Sequence, residues 1–279
     1  MLLAVGSVKG SPGATTAAVA LAARWPAGEE PVLLECDPAG GDLQVRFGLE
    51  PYPGLVSLAA AARRSSGADL LRRHCQRLPG GLPVVAGAIG GEQAKAALAV
   101  LATSGGVDVL RRAADADRAV LVVDCGRLES GSVALPVARA ADALVLLVRP
   151  NMEKLAHAAA LLPTAAGWCR TLRLLLVGDG YRSGEVAREL DVPVLGRLPA
   201  DARGASALAG NPGSRHGPAH SALGRAAADV AAELRRQIPA AARRTDAGVA
   251  ASAWSGAEPS LPTPGGPVTG GDVPAGGAP

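Results

Sequence analysis

The stretch Leu2-Leu3-Ala4-Val5-Gly6-Ser7-Val8-Lys9-Gly10-Ser11-Pro12-Gly13-Ala14-Thr15-Thr16 decides the fold. Residues Leu2 to Val8 are mostly small and apolar, and an alanine-rich run from Ala17 to Arg24 follows the glycines. That order reads as a buried strand, a glycine turn and a helix. A strand that hands a glycine loop to a helix builds an anion site. Free backbone N–H groups converge at the first turn, and the helix dipole adds positive potential. The usual phosphate loop ends in Gly-Lys-Ser/Thr, and its lysine reaches the outer phosphates. Here that position is Ala14, and a different lysine, Lys9, stands at the front of the loop. Backbone amides and the Thr15 hydroxyl remain to hold phosphates and Mg²⁺, while the charge that neutralises a transferring phosphoryl group is reduced. The competing reading is a plain strand-to-helix turn with no ligand, so the loop acquires meaning from the strand tips downstream.

Outward from this loop, short apolar runs alternate with helix-like segments. Strands are expected at Leu2–Val5, Val32–Glu35, Leu82–Ala86, Ala119–Asp124, Ala143–Val148, Leu172–Val177 and Val192–Leu195. Helices are expected at Thr15–Arg24, Leu55–Arg64, Ala68–Cys75, Gly91–Thr103, Val107–Ala116, Ser132–Ala140, Met152–Ala165, Ser183–Glu189 and Ala219–Arg236. Several strands are nearly continuous in Val and Leu, as in a parallel sheet covered on both faces. The expected class is α/β: a doubly wound, mostly parallel sheet with helices on both faces and ligands at the carboxyl ends of its strands. Residues 1–240 form the expected nucleotide-binding domain. Residues 241–279 are rich in Gly, Pro and Ala with little to bury, and read as a disordered tail.

Composition narrows the function classes. The chain has 279 residues, enough to bury a sizeable core, but only one Phe, two Tyr and three Trp, so that core must be Leu, Val and Ala. Net charge is +3 with no long basic block, and the arginine pairs such as Arg63-Arg64 and Arg243-Arg244 read first as solvated helix faces. The four cysteines lie far apart with no Cys-x-x-Cys, which argues against a zinc site or a disulfide framework. The four histidines lack a spaced partner for a metal, and no Gly-x-Ser-x-Gly elbow supports a serine hydrolase. No apolar run is long enough for a membrane span, and no signal peptide is evident.

Two carboxylates complete the pattern. The second expected strand ends Leu33-Leu34-Glu35-Cys36-Asp37-Pro38-Ala39-Gly40-Gly41-Asp42. Alone, Asp-Pro-x-Gly is an ordinary turn. The fourth ends Val120-Leu121-Val122-Val123-Asp124-Cys125-Gly126, four apolar residues that aim an aspartate at a metal in the Walker B manner. A carboxylate at a strand tip beside a phosphate loop orients water or a Mg²⁺ shell. Loop, Asp37 and Asp124 occur in the order such a site requires.

With these residues the chain resembles the ParA/MinD superfamily of P-loop ATPases, of the SIMIBI type. The family's deviant Walker A motif reads Lys-Gly-Gly-x-Gly-Lys-Thr-Thr, and Lys9 to Thr16 match it except at Ser11 and Ala14. The segment Leu190 to Asp201 is similar to the family's stretch near the base pocket, and the resemblance covers roughly residues 1–238. Alanine in place of the second lysine is similar to the CpaE/TadZ-like branch, which localises Tad-type pilus or secretion machinery. The resemblance implies ATP and Mg²⁺ as cofactors. It implies nucleotide contacts from Lys9, Gly10, Ser11, Pro12, Gly13, Ala14, Thr15 and Thr16, and Mg²⁺ contacts from Thr15, Asp37 and Asp124. Asp37 falls on the catalytic aspartate, and Lys9 on the signature lysine that crosses a sandwich dimer to the partner's nucleotide. The chain departs from the family at Glu35, often Asp there, and at Gly178-Asp179-Gly180, where an adenine-binding Asn is common.

The resemblance therefore implies a cytoplasmic, ATP-dimerised spatial regulator with weak or absent hydrolysis. It would be recruited to a pole, septum or nucleoid and would act on a protein partner of a localisation, secretion or partition system. Two alternatives stay open: a protein-binding scaffold that no longer takes nucleotide, and a partition ATPase that binds non-specific DNA. Stable membrane insertion is not expected, since the chain ends in a Gly/Pro tail and not in an amphipathic helix.

Overall fold

The computed structural model describes residues 1–9, 12–67, 69–209 and 218–238. The expected tail at 241–279, its boundary at 240, and the loop residues Gly10 and Ser11 lie outside the described residues.

The chain opens with β1 (Leu2–Ser7), α1 (Ala14–Ala23) and β2 (Glu30–Glu35). Three short helices follow: α2 (Leu43–Phe47), α3 (Leu55–Ala62) and α4 (Leu70–Arg73). Next come β3 (Gln76–Arg77), β4 (Pro83–Val85), α5 (Gly91–Leu101), α6 (Ser104–Asp115), β5 (Ala119–Arg127) and α7 (Leu135–Arg139). The second half runs β6 (Ala143–Val148), α8 (Met152–Ala165), β7 (Leu172–Val177), α9 (Ser183–Leu190), β8 (Val194–Leu198), α10 (Ala202–Leu208) and, after a 3₁₀ turn at Pro218–His220, α11 (Ala222–Gln237).

The strands form one sheet in the order β3-β4-β2-β5-β1-β6-β7-β8. All pairs are parallel except β3 with β4. Alternate residues of β1 feed two separate cores, because successive strand side chains point to opposite faces. Leu2 and Ala4 pack with Leu58 of α3, Leu98 of α5, Leu110 of α6 and Leu162 of α8. Leu3 and Val5 pack with Ala17 to Ala22 of α1, Leu43 of α2, and Leu223 and Leu234 of α11. The doubly wound, mostly parallel sheet with helices on both faces is thus what the chain forms. All four cysteines are free.

Four elements depart from expectation. The strand expected at Val192–Leu195 runs from Val194 to Leu198. Asp191 takes a left-handed turn at φ 50° after α9, and Pro193 has no N–H to give the ladder. The five-residue α2, the two-residue β3 and the seven-residue α10 have no counterpart among the expected elements. Such short elements are set by their neighbours, since so few residues carry no period.

Candidate functional site at the carboxyl edge

Gly13 is the residue that makes α1 start where it does. It sits at φ 91°, a left-handed conformation that suits glycine, and its carbonyl accepts the first intrahelical bond from Ala17 N–H at 2.9 Å. No side chain caps α1, and its first turn holds no acidic residue. The orphan N–H groups of that turn therefore have no competing anion from their own helix. Pro12 and Ala14 are buried, while Thr15 and Thr16 are half-buried.

Beside this turn stands Asp124 of β5. Strand register sets it between Val5 of β1 and Glu35 of β2. Its carboxylate is fully buried, and Oδ1 accepts the Gly126 N–H at 3.0 Å. Among the described residues, Oδ2 is buried with no hydrogen-bond partner. Burial pushes the Asp124 pKa up to about 6. The Thr15 hydroxyl and the Gly126 amide favour its ionised form, the charge of Asp37 opposes it, and that of Arg46 helps it. The influence of Thr15 is one of proximity, because no hydrogen bond of ordinary geometry reaches Oδ2.

Asp37 follows β2, which is tied to Asp124 where Cys36 N–H donates to the Asp124 carbonyl at 2.7 Å. The Asp37 carboxylate folds back to accept the Ala39 N–H at 2.8 Å, an Asx turn. Burial raises its pKa, and this bond lowers it again. The carboxyl lies directly over Gly126, which holds φ 60°, and a Cβ there would collide with it. Gly126 is the price of bringing the two aspartates together, a role visible only once β2 and β5 are paired.

Glu35 anchors the loop that carries Asp37. Its buried carboxylate accepts N–H bonds from Asp42 at 2.7 Å, Leu43 at 3.1 Å and Gly87 at 2.9 Å. Burial, only partly offset by these bonds, raises its pKa to about 7. Glu35 thus serves as a clamp between the β2 and β4 ends.

The fit to a hard cation is favourable. Asp124 Oδ2 is an unsatisfied carboxylate oxygen, Thr15 supplies a hydroxyl, and Asp37 faces the same corner. Mg²⁺ takes one or two carboxylates and completes its shell from phosphate and water. No cluster of three or more His, Cys, Asp or Glu poised to hold a metal by itself exists among the described residues.

Other sequence-predicted residues lie elsewhere. The exposed Lys9 places its Nζ 3.0 Å from His157 Nε2 on α8, not on the aspartates. His157 is exposed, and His74 pairs instead with the Ser57 hydroxyl at 2.7 Å. At the base-pocket segment, Arg197 donates to the carbonyls of Gly178 and Tyr181 and pins the loop after β7. Asp201 caps α10 through Gly204 N–H at 2.8 Å and also accepts Leu223 N–H at 3.1 Å, so its oxygens serve structure. Arg46 of α2 donates to Thr16 Oγ1 at 3.3 Å and pairs with Asp42, a contact for which the sequence carries no motif.

No family model matches the chain, and no curated protein matches it in sequence. Solved structures do match it in shape. A ParA family ATPase from Chlorobium tepidum aligns with TM-score 0.67 at 18% identity, over 83% of this chain and 98% of that one. The cell division ATPase MinD of Pyrococcus furiosus aligns with TM-score 0.66 at 19% identity, over 85% and 98%. The chain has the fold of these ATPases. Cobyrinic acid a,c-diamide synthase from Mycobacterium smegmatis, solved with an ATP analogue and magnesium, aligns with TM-score 0.56 at 19% identity, over 85% and 94%. One fold therefore serves both a cell division ATPase and a synthase, and function has to be argued from the site. Among the described residues no helix is long and apolar enough to cross a membrane.

Proposed function

We propose that this chain binds Mg-ATP at the α1 N-terminus and acts as a nucleotide-operated spatial regulator of the ParA/MinD type. The observation that carries the reading is the buried, unpartnered Oδ2 of Asp124 beside an uncapped helix start. A buried carboxylate oxygen without a partner is costly, and a Mg²⁺ delivered with phosphate relieves that cost. In this reading α1 amides, Gly13 and Thr16 hold phosphate, Thr15 and Asp124 hold Mg²⁺, and Asp37 orients the attacking water. Gly10, Ser11, Pro12 and Ala14 complete the loop around the phosphates.

Hydrolysis is slow in this reading. The buried methyl of Ala14 leaves no ammonium at the usual place, and loss of one preorganised charge contact costs on the order of 10²- to 10³-fold in rate. The bound nucleotide then works mainly as a dimer clasp, with Lys9 leaving His157 to reach across the interface. Support comes from the exposed large apolar side chains. Val45, Tyr52 and Val56 follow the carboxyl end of β2, Ile89 follows β4, Met152 follows β6 and Tyr181 follows β7. Exposed apolar side chains in the segments that follow these strand ends suit association with a second copy. A CpaE/TadZ-like role in positioning secretion or pilus machinery, through a protein partner, is inferred from the same alanine.

Calorimetry with millimolar Mg-ATP, followed by sedimentation with and without nucleotide, tests the reading. Binding and a shift from monomer to dimer are expected. Absence of binding would sink it and favour the scaffold reading. Salt-sensitive retention on non-specific DNA with ATP would favour the partition reading.

A further inference from the structure

The phosphate loop lacks its usual cation, yet a cation does stand on it. Arg46 lies in α2, whose Leu43 packs into the same core as Ala17 to Ala22 of α1. The two helices therefore hold a fixed relation on one face of the sheet. From there the Arg46 Nη1 donates to Thr16 Oγ1 at 3.3 Å, at the third residue of α1. Its Nη2 is paired with Asp42, one turn earlier on α2. Lys9, by contrast, is engaged with His157.

The two partners of Arg46 differ in kind. Thr16 belongs to the loop helix and stays where α1 puts it. Asp42 is 57% exposed at its side chain, and such a solvated i,i+4 pair is weak. A phosphate at the α1 N-terminus outcompetes a solvated carboxylate for a guanidinium, because the planar fork meets phosphate oxygens bidentately. The site itself is marked independently by the buried, unpartnered Asp124 Oδ2.

We infer that Arg46 is the cation of the phosphate site: it stands in for the lysine absent at position 14, and Asp42 holds it in readiness until a polyphosphate takes its place. The inference rests on the Mg-nucleotide reading and adds a named residue to it. Asp42 then acts as an internal competitor that weakens binding.

The experiment is calorimetry of the full chain with Mg-ATP, beside thermal melting without ligand. Arg46→Gln is expected to weaken binding about 10- to 100-fold, Arg46→Lys to recover part of that loss, and Asp42→Asn to tighten binding about 2- to 3-fold. Ligand-free melting should move by less than about 2 °C in each variant, as for an exposed pair. If wild type binds and Arg46→Gln binds equally well, the inference falls while the nucleotide reading stands. If Arg46→Gln loses binding together with a large drop in ligand-free melting, and Arg46→Lys recovers neither, Arg46 is merely structural and the inference falls. If wild type fails to bind Mg-ATP, both fall.

Discussion

Two aspartates at opposite ends of the sheet show how differently its two edges are built. Asp142, at the amino edge, is saturated: Oδ2 accepts the Leu2 N–H at 2.6 Å and Oδ1 accepts Arg111 at 2.8 Å. Asp124, at the carboxyl edge, is more deeply buried and has one oxygen without a partner. The pattern extends around each. At the amino edge the Met1 ammonium donates to the Ala114 and Ala119 carbonyls, and Arg118 Nε donates to Gly28. A cavity of about 270 Å³ opens there, but Glu29, Asp115 and Arg118 in its wall are already engaged by Trp25, Arg111 and Gly28. At the carboxyl edge Glu35, Asp37 and Asp124 crowd together with raised pKa values. Folding leaves a buried donor, Arg24 Nε, at the amino edge and a buried acceptor, Asp124 Oδ2, at the carboxyl edge, so a cation has something to supply at the latter.

The largest effect should come from breaking the amino edge. Asp142→Ala would leave the Leu2 N–H without its acceptor and Arg111 with only Asp115 and the Ala140 carbonyl, and loss of these two largely buried bonds costs about 3 kcal/mol. Urea denaturation at pH 7 should show that loss, and Mg-ATP affinity should be unchanged. A stability change below about 1 kcal/mol would erase the contrast between the edges.

The next effect is a pH dependence. The Glu35 carboxyl titrates at about 7 when folded and near its ordinary 4.5 when unfolded. Between those values the folded chain binds more protons than the unfolded one, so stability falls as pH rises from 4.5 through 7. The shift corresponds to about 3 kcal/mol across that window. Asp124 contributes a slope of the same sign between 3.8 and about 6. The difference between wild type and Glu35→Gln isolates the Glu35 share. Denaturation midpoints taken from pH 4.5 to 8 should show a shallower decline in the variant, and parallel curves would mean that the three N–H bonds offset burial in full and that the Glu35 pKa is not raised.

The sequence makes the frame of this edge legible and hides its stitching. β6, β7 and α8 have the expected bounds because continuous Val/Leu runs and an Asn151 cap on Lys154 N–H announce them locally. Thr15, Asp37 and Asp124 sit together because each ends or follows a strand of one parallel sheet, and order along the chain implies that edge. The Glu35 clamp was not legible, since its donors are backbone amides from Asp42, Leu43 and Gly87, which any residue type carries. Arg46 was hidden in the same way. It rides on a helix too short to show a period, in a chain where arginine is common. The engagement of Lys9 with His157 joins a loop to a distant helix face, and no motif encodes it.

Asp124→Asn sharpens the comparison from the other side. An amide in place of the carboxylate removes a buried charge that Oδ2 leaves uncompensated, so the ligand-free chain should gain about 1–2 kcal/mol of stability at pH 8. The Mg²⁺-dependent rise in melting temperature with ATP should vanish in the same variant. Thermal melting with and without Mg-ATP reads both. A less stable variant would mean that Oδ2 is satisfied in solution, and the carboxyl edge would hold no unpaired acceptor after all.

Gly126→Ala should have the smallest effect on the fold and the most specific one on the site. A left-handed φ costs an alanine about 1 kcal/mol, and the rest of the chain has no need to move, since the obstacle a Cβ meets is the Asp37 side chain. Asp37 would rotate away, give up its place over β5, and loosen the oxygen corner it shares with Asp124 and Thr15. Because the damage travels through Asp37, it should not add to the loss of Asp37 itself. Mg-ATP affinity should fall with Gly126→Ala alone and with Asp37→Ala alone, and the double variant should be no worse than Asp37→Ala. Additive losses would mean that the glycine serves the phosphate loop or the β5 backbone directly, and the pairing of strand tips would lose its part in building the site.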